Sequence, residues 1–238
     1  MNDTKQIGEL TCTIVNHQES PKGAAVFCHG FGAPGTDLVG IGSELIRMDA
    51  TLKEMVFVFP QAPIELDPYF DARAWWMIDI EKIQALMAKG EFREMRNSNP
   101  PELIERSRQI SKIIDELLTS YKLEPEQLVV GGFSQGSMLT TDVALNYPQP
   151  LGGLVVWSGA LICEDLWTTA AKRQTKLNIV QSHGTIDPIL PFAGAEFLRD
   201  LLEESGHDVK FIPFQGPHTI GVDALEAAKE LLLNAVEP

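Results

Sequence analysis

The chain of 238 residues contains three cysteines, and no two of them are spaced as C-x-x-C. This odd, scattered set predicts neither a zinc knuckle nor a disulfide framework, and it is typical of reduced thiols in a cytoplasmic protein. The sequence also lacks the H-E-x-x-H pattern of zinc hydrolases. We therefore expect a cytoplasmic protein without a metal site.

Basic residues are also scarce, since 19 lysines and arginines stand against 33 aspartates and glutamates, a formal net charge of −14. Such a surface repels polyanions, so nucleic acid is not an expected partner. No apolar run approaches the roughly 20 residues that span a bilayer, and the opening MNDTKQIGEL lacks the pattern of a signal peptide. The composition predicts no stable membrane insertion and leaves the oligomeric state open.

What the chain does contain is a regular alternation of short apolar runs with amphipathic stretches. The runs are β-branched or aromatic and end at Gly or Pro, which is typical of parallel strands covered on both faces. We predict strands at 24–28, 55–59, 128–133, 153–158, 177–182 and 209–214, an antiparallel edge strand at 10–16, and helices at 100–121, 192–206 and 221–236. The alternation predicts one α/β domain over residues 1–238, with a mostly parallel central sheet and helices on both faces.

Residues 61–99 interrupt this alternation, because the segment is too long for an ordinary connection between a strand and a helix. Its aromatic and apolar side chains argue against disorder. We expect an insertion close to the functional site, with a short helix at 79–96.

The stretch Gly132-Phe133-Ser134-Gln135-Gly136 is G-x-S-x-G between a predicted strand and a predicted helix. In this setting the motif is a nucleophile elbow, a sharp turn that exposes the serine hydroxyl. Side chains at the two glycine positions would collide with the neighbouring strand or helix, and the helix directs its positive end at developing negative charge. We predict that Ser134 is a catalytic nucleophile rather than an incidental serine in a glycine turn.

A serine hydroxyl needs a base, and the five histidines are not equivalent in position. Active sites in parallel sheets gather at the carboxyl ends of the strands, which disfavours His17 and His207. His29 precedes the serine, against the order nucleophile, acid, base that elbow enzymes follow. His183 would leave only Asp165 as a plausible acid before it, so His218, after the last predicted strand, is the predicted base.

The acid should lie between the serine and this base, after a strand. Asp187, in SHGTIDPILP, meets both conditions, and Asp165 is the alternative; Asp142 lies inside a predicted helix. Asp187 would accept a hydrogen bond from one imidazole nitrogen and fix the tautomer of the base. On this interpretation His183 is a structural residue of the loop.

A tetrahedral intermediate also needs hydrogen-bond donors for its oxyanion. We predict the backbone N–H of Gln135, directly after the nucleophile, and that of Phe31 in the glycine-rich loop CHGFGAPG at 28–35. The same glycines resemble a nucleotide-binding G-x-G-x-x-G motif, but a proline stands where the helix of that motif should begin. An oxyanion hole is therefore expected rather than a nucleotide site.

Six blocks carry a resemblance to a known family. In chain order, HGFGAPGTDL, FPQAP, RAWWMID, GGFSQGSML, HGTIDPILP and HTI resemble those of the phospholipase/carboxylesterase family of the α/β-hydrolase fold, which includes acyl-protein thioesterases, lysophospholipases and bacterial carboxylesterases. The resemblance implies no large cap domain, no metal or organic cofactor, and the triad Ser134, Asp187 and His218. It also implies that the Trp-rich block borders the acyl pocket, which makes Trp75 and Trp76 candidate substrate contacts.

These observations predict a serine carboxylesterase that hydrolyses small-molecule esters with short- to medium-chain acyl groups through an acyl-enzyme. One alternative is a lysophospholipase or acyl-protein thioesterase, which acyl-chain profiling distinguishes. The alternative of another class is a binding module of the same fold that has lost catalysis, which covalent labelling of the serine distinguishes.

Overall fold

The computed structural model describes residues 3–79 and 96–236. Eight strands form one sheet: β1 (Asp3–Ile7), β2 (Leu10–Val15), β3 (Gly23–Cys28), β4 (Met55–Pro60), β7 (Leu128–Phe133), β8 (Gly153–Trp157), β9 (Asn178–Gly184) and β10 (Asp208–Phe214). Two short strands, β5 (Ile64–Asp67) and β6 (Ala72–Ala74), form a separate hairpin. Each apolar run predicted as a parallel strand is a strand in the structure.

The strand order in the large sheet is β1-β2-β4-β3-β7-β8-β9-β10. The strands from β4 to β10 in this order pair in parallel, whereas β2 is antiparallel to both of its neighbours. Strand β2 is therefore antiparallel as predicted, but it does not form the edge. The edge strand on this side of the sheet is β1, which the sequence did not reveal because four of its five side chains are exposed.

Besides two short 3-10 helices, Ala50–Glu54 and Pro125–Gln127, the described residues contain the α-helices α1 (Val39–Met48), α2 (Leu103–Tyr121), α3 (Gln135–Asn146), α4 (Glu164–Arg173), α5 (Phe192–Glu204) and α6 (Val222–Val236). Helices α2, α5 and α6 confirm the predictions at 100–121, 192–206 and 221–236. Helices α1 and α4 were not predicted, because both are short and α1 carries Gly40 and Gly42, which lower helix propensity. None of these helices combines the length and apolar character needed to cross a membrane.

The core consists of two layers, one on each face of the sheet. On β3, Val26 packs into one layer and Phe27 into the other, because successive side chains of a strand point to opposite faces. Helices α2, α3, α4 and α5 cover the first layer, and α1 and α6 cover the second. Helices therefore cover both faces, which confirms the predicted α/β architecture.

The predicted insertion at 61–99 contains the hairpin β5–β6. Two backbone hydrogen bonds join this hairpin to the glycine-rich loop after β3: Gly32 donates to the carbonyl of Arg73 at 2.8 Å, and Arg73 donates to that of Ala33 at 3.2 Å. Residues 80–95, and with them most of the helix predicted at 79–96, lie outside the described residues. The described part of the insertion is thus attached to the loop predicted to bind an oxyanion.

The carboxyl ends of the parallel strands lie along one edge of the sheet. Strands β3, β7, β9 and β10 end there, and each is followed by a segment that carries a predicted site residue. The topology therefore collects residues that lie far apart in the chain.

Candidate active site

Ser134 occupies the turn between β7 and α3. Its backbone has φ 54° and ψ −120°, a conformation that residues other than glycine rarely adopt. The N–H of Ser134 donates to the carbonyl of Trp157 at 2.8 Å, and the carbonyl of Ser134 accepts the hydroxyl of Ser137 at 2.7 Å. These bonds hold the serine in a strained turn at the end of the strand, as the elbow motif predicts.

Gly132 and Gly136 make this turn sterically possible. A Cβ at Gly132 would lie against the carbonyl oxygen of Cys28 and the backbone of Gly136, and a Cβ at Gly136 would lie against the carbonyl oxygens of Cys28 and His29. Each of these approaches is far inside van der Waals contact. The end of β3 therefore excludes any side chain at the two positions, which is the steric reason predicted for the glycines.

Asp187 lies in the loop after β9, and His218 lies in the loop after β10. Nδ1 of His218 is 2.6 Å from Oδ2 of Asp187. The other carboxylate oxygen accepts the backbone N–H groups of Ile189 at 2.8 Å and Leu190 at 3.0 Å. A carboxylate beside Nδ1 keeps the proton on that nitrogen, so Nε2 of His218 is left as the proton acceptor.

A second histidine contacts the same carboxylate. Nε2 of His183 lies 3.2 Å from Oδ2 of Asp187 and 3.0 Å from the carbonyl oxygen of Leu190. The interpretation of His183 as a loop residue is corrected, since it lies within β9 and is fully buried. Burial alone would raise the pKa of Asp187, but the hydrogen bonds from the two histidines and the two backbone N–H groups outweigh burial and hold this pKa well below its usual range.

The alternative acid, Asp165, lies on the surface in the first turn of α4. The other histidine that follows a parallel strand, His29, is buried in the core, where Nδ1 lies 2.8 Å from the carbonyl of Gly30 and Nε2 accepts the N–H of Ala62 at 3.1 Å. Burial lowers the pKa of His29 and keeps its imidazole neutral. Both ring nitrogens of His29 are occupied in structural bonds.

The loop that carries His218 is fixed on two sides. The imidazole packs against the ring of Phe133, with ring centroids 4.8 Å apart. The hydroxyl of Ser158, a fully buried residue at φ 51°, donates to the carbonyl of Thr219 at 2.9 Å.

In residues 3–79 and 96–236, no hydrogen bond joins the hydroxyl of Ser134 to the imidazole of His218, but both side chains line one cavity. Such bonds are often long in enzymes without substrate and shorten when substrate binds.

The cavity has a volume of about 360 Å³, within the range typical of small-molecule sites. Its walls are mostly apolar, and its residues come from the end of β7, from the loops after β3, β7, β9 and β10, from α3 and from the described part of the insertion. The described lining residues are Gly30, Phe31, Ala33, Asp37, Ile78, Phe133, Ser134, Met138, Pro188, Ile189, Leu190 and His218.

Phe31 and Gln135, the predicted oxyanion donors, lie in the glycine-rich loop after β3 and in the elbow. Phe31 lines the cavity, and Gln135 is the first residue of α3. A Cβ at Gly30 would lie 3.4 Å from Cβ of Ser134, so the glycine-rich loop passes directly beside the serine. In the described part of the chain, neither of the two N–H groups donates to a backbone carbonyl. Both positions therefore suit donation to an oxyanion.

Trp75 and Trp76 are not among the described residues that line the cavity. They are 0% and 4% exposed, so the two indoles lie in the core and not in the cavity wall, where a substrate contact was expected. The indole N–H of Trp75 donates to the carbonyl of His29 at 2.9 Å. The side-chain amide of Gln135 accepts the N–H of Trp75 at 2.9 Å and donates to the carbonyl of Trp76 at 2.8 Å. The two tryptophans thus brace the glycine-rich loop and the start of α3 from within the core.

Two contacts of the site were missed from the sequence. The sequence did indicate the contact of His183, because this residue lies four positions before Asp187. A turn of that length brings the chain back to the end of the strand it has just left, and so brings Asp187 close to His183. Ser158 carried none, because its partner Thr219 is 61 positions away.

Two curated relatives are acyl-protein thioesterases. The chain is 30% identical to "Acyl-protein thioesterase 1" of Eremothecium gossypii over 186 residues. This aligned region covers 77% of this chain and 74% of the relative. It is 25% identical over 228 residues to "Acyl-protein thioesterase 1" of Schizosaccharomyces pombe, which covers 92% of this chain and 93% of the relative.

A solved structure and a family model complete the comparison. A carboxylesterase from Mesorhizobium loti has a TM-score of 0.75 and 13% identity over 98% of both chains, a likeness that shows the α/β-hydrolase fold alone. The model described as Phospholipase/Carboxylesterase matches residues 10–235. The chain therefore belongs to the phospholipase/carboxylesterase family of hydrolases, in agreement with the resemblance of its six sequence blocks.

Proposed function

We propose that the protein is a serine carboxylesterase that acts through an acyl-enzyme intermediate. The observation that carries the proposal is that Ser134, on its strained turn, and His218, bonded to Asp187, face one apolar cavity. As the hydroxyl oxygen of Ser134 attacks the acyl carbonyl, Nε2 of His218 takes its proton and then gives it to the leaving alcohol. Water attacks the acyl-enzyme with the help of the same base, and the carboxylic acid leaves.

Charge that develops on the carbonyl oxygen is stabilised by the backbone N–H groups of Phe31 and Gln135. A single donor of this kind lowers the barrier by about 2.7–4 kcal/mol. The positive end of α3 adds to the same effect, because the helix begins at Gln135. Asp187 remains ionised throughout and stabilises the imidazolium of His218, for which its lowered pKa is suited.

The cavity favours a short or medium apolar acyl group. Its volume of about 360 Å³ accommodates about a dozen groups of the size of water, at roughly 30 Å³ each. Met138, Ile189 and Leu190 present apolar side chains to this space, whereas an anionic acyl group would lose hydration there without a lysine or arginine among the described lining residues. We therefore assign uncharged small-molecule carboxylic esters as the substrate class.

Hydrolysis of acyl-thioesters is the second candidate, and the two curated relatives favour it because both are named acyl-protein thioesterase 1. The acyl-enzyme chemistry is the same, since a thiol replaces the alcohol as leaving group. A lysophospholipase is a further variant within this class, because the matched family model is described as Phospholipase/Carboxylesterase.

The deciding experiment compares nitrophenyl esters and thioesters that carry the same acyl groups, from acetyl to palmitoyl. The proposal predicts that kcat/KM peaks at a short or medium chain and is higher for the ester. A maximum on long-chain thioesters or on lysophospholipid would favour the second candidate. Ser134→Ala serves as the blank and should abolish turnover while circular dichroism stays unchanged; full activity of this variant would refute the serine mechanism.

A cytoplasmic location is part of the proposal. Among the described residues the cysteines Cys12, Cys28 and Cys163 are buried and free, which suits a reducing compartment. The net charge of −14 also disfavours nucleic acid as a partner. Fractionation of cells that express the tagged chain tests the location, and recovery outside the cytoplasm would contradict it.

A further inference from the structure

We propose that His183 is a positioning residue that holds the Asp187 carboxylate in the orientation that His218 requires. The inference rests on the proposed function, because it concerns the acid of the proposed triad. His183 is the penultimate residue of β9, and its side chain is fully buried. Its Nε2 is 3.2 Å from Oδ2 of Asp187, the same oxygen that Nδ1 of His218 contacts at 2.6 Å.

The surroundings of His183 determine which ring nitrogen carries its proton. Nε2 faces the carboxylate of Asp187 and the carbonyl of Leu190, and both are acceptors, so Nε2 must be the donor. Nδ1 is buried and has no hydrogen-bond partner among the described residues. Within the described residues, the polar contacts of the ring are therefore all directed at the Asp187 loop. A histidine that only filled the core would not need a donor at this atom.

Nε2 of His183 is one of the four nitrogen groups that surround the Asp187 carboxylate in the described part of the chain. One oxygen accepts two backbone N–H groups, from Ile189 and Leu190, and the other lies 2.6 Å from Nδ1 of His218 and 3.2 Å from Nε2 of His183. In the described residues no lysine or arginine forms an ion pair with this buried carboxylate, so N–H groups alone stabilise its charge. Because His183 donates to the carbonyl of Leu190, it ties the Asp187 loop to β9.

His183→Phe removes the donor and keeps a ring of similar size. Hydrogen bonds to charged groups are strong enough that losing one changes a rate by about tenfold to hundredfold. We expect kcat on a nitrophenyl ester to fall by about this factor while KM stays near the wild-type value, because the ring does not line the cavity. His183→Gln, whose amide nitrogen can occupy the place of Nε2, should restore most of the loss.

The pH dependence of kcat/KM separates positioning from damage to the fold. Without the His183 donor the carboxylate is more basic and stabilises the imidazolium of His218, so the acidic limb should move to higher pH. A smaller folded fraction would lower the rate at every pH and leave the limb in place. The titratable groups that face the Asp187 carboxylate in the described residues are the imidazoles of His183 and His218.

His207→Phe is the matched control, because His207 is also buried and contacts the backbone N–H of Leu177 at 3.2 Å, before β10 at the opposite end of the sheet. This control should keep the wild-type kcat and acidic limb. A double-mutant cycle adds Asp187→Asn: if His183 acts through the acid, His183→Phe should cost less than about threefold in that background.

The inference is overturned if His183→Phe retains the wild-type kcat and limb, or if it costs the same factor with and without Asp187→Asn. Failure of the proposed function is recognised separately, in the wild type. A wild-type chain that neither turns over esters nor reacts with a fluorophosphonate would refute the triad itself and with it any role of His183.

Discussion

Nδ1 of His218 and Oδ2 of Asp187 lie 2.6 Å apart, although 31 positions separate the two residues in the chain. The pairing of β9 with β10 explains this proximity. Gly184 and Phe214 are register partners at the ends of these parallel strands, so the two following loops begin side by side. The register of the sheet brings the proposed acid and the proposed base together, and short loops complete the contact.

Asp187→Asn should lower kcat by roughly 10⁴-fold and leave the fold intact, because an amide in place of the carboxylate stabilises the wrong tautomer of His218. Asp165→Asn is the control, since this exposed residue lies away from the cavity. Its kcat should equal that of the wild type. Steady-state kinetics on a nitrophenyl ester provides the comparison, and a larger loss in Asp165→Asn would transfer the role of acid to the alternative.

Gly136→Ala should destabilise the protein by at least about 3 kcal/mol, because the added Cβ meets the backbone of Cys28 and neither segment can move without disturbing the sheet. Gly40→Ala is the matched control in α1, where a Cβ meets nothing within 4 Å. That change should stabilise the helix by about 0.5–1 kcal/mol. Urea unfolding measures both, and a Gly136→Ala variant of wild-type stability would contradict the account of the elbow.

Ile189→Trp should shift the preferred acyl group toward shorter chains, because it adds bulk to a cavity wall at a half-exposed position. Trp76→Phe should leave the chain-length profile unchanged and lower the stability, since this side chain lies in the core. Profiles on a nitrophenyl ester series and urea unfolding of both variants check the pair. A profile altered by Trp76→Phe would restore this residue as a substrate contact.

Acidification should reduce the stability of the protein through two buried histidines. Burial lowers the pKa of His29 and of His207 below the ordinary 6.5. The unfolded chain therefore binds protons near pH 6.5 that the folded chain binds only at lower pH, so the free energy of unfolding falls as the pH decreases through this range. The fall measured by urea unfolding should be smaller in His207→Phe than in the wild type. An equal or larger fall in the variant would show that His207 does not contribute.

The sequence predicted the parallel strands and the elbow because both are encoded locally. Runs such as 128–133 are apolar at every position, as a strand covered on two faces requires. The glycines of the elbow reflect contacts with β3 that no other residue tolerates. Strand β1 escaped prediction because its polar, exposed residues carry no apolar pattern and depend on pairing with β2.

Side-chain placement in the site was less predictable. A buried tryptophan and one that lines a pocket have the same sequence pattern, and only the contacts of Trp75 with His29 and Gln135 assign it to the core. The role of His183 depends on the turn that brings Asp187 back to β9, a tertiary feature of the loop. The proposed order of nucleophile, acid and base follows from the topology, because Ser134, Asp187 and His218 each come after a parallel strand.

The most direct test of the central claim is mass-spectrometric mapping of the wild-type chain after reaction with a fluorophosphonate. The account predicts a single adduct on Ser134, formed in step with the loss of esterase activity, and slower labelling in His218→Ala because the base is absent. An active protein that carries its adduct on another residue, or that stays unlabelled, would contradict it.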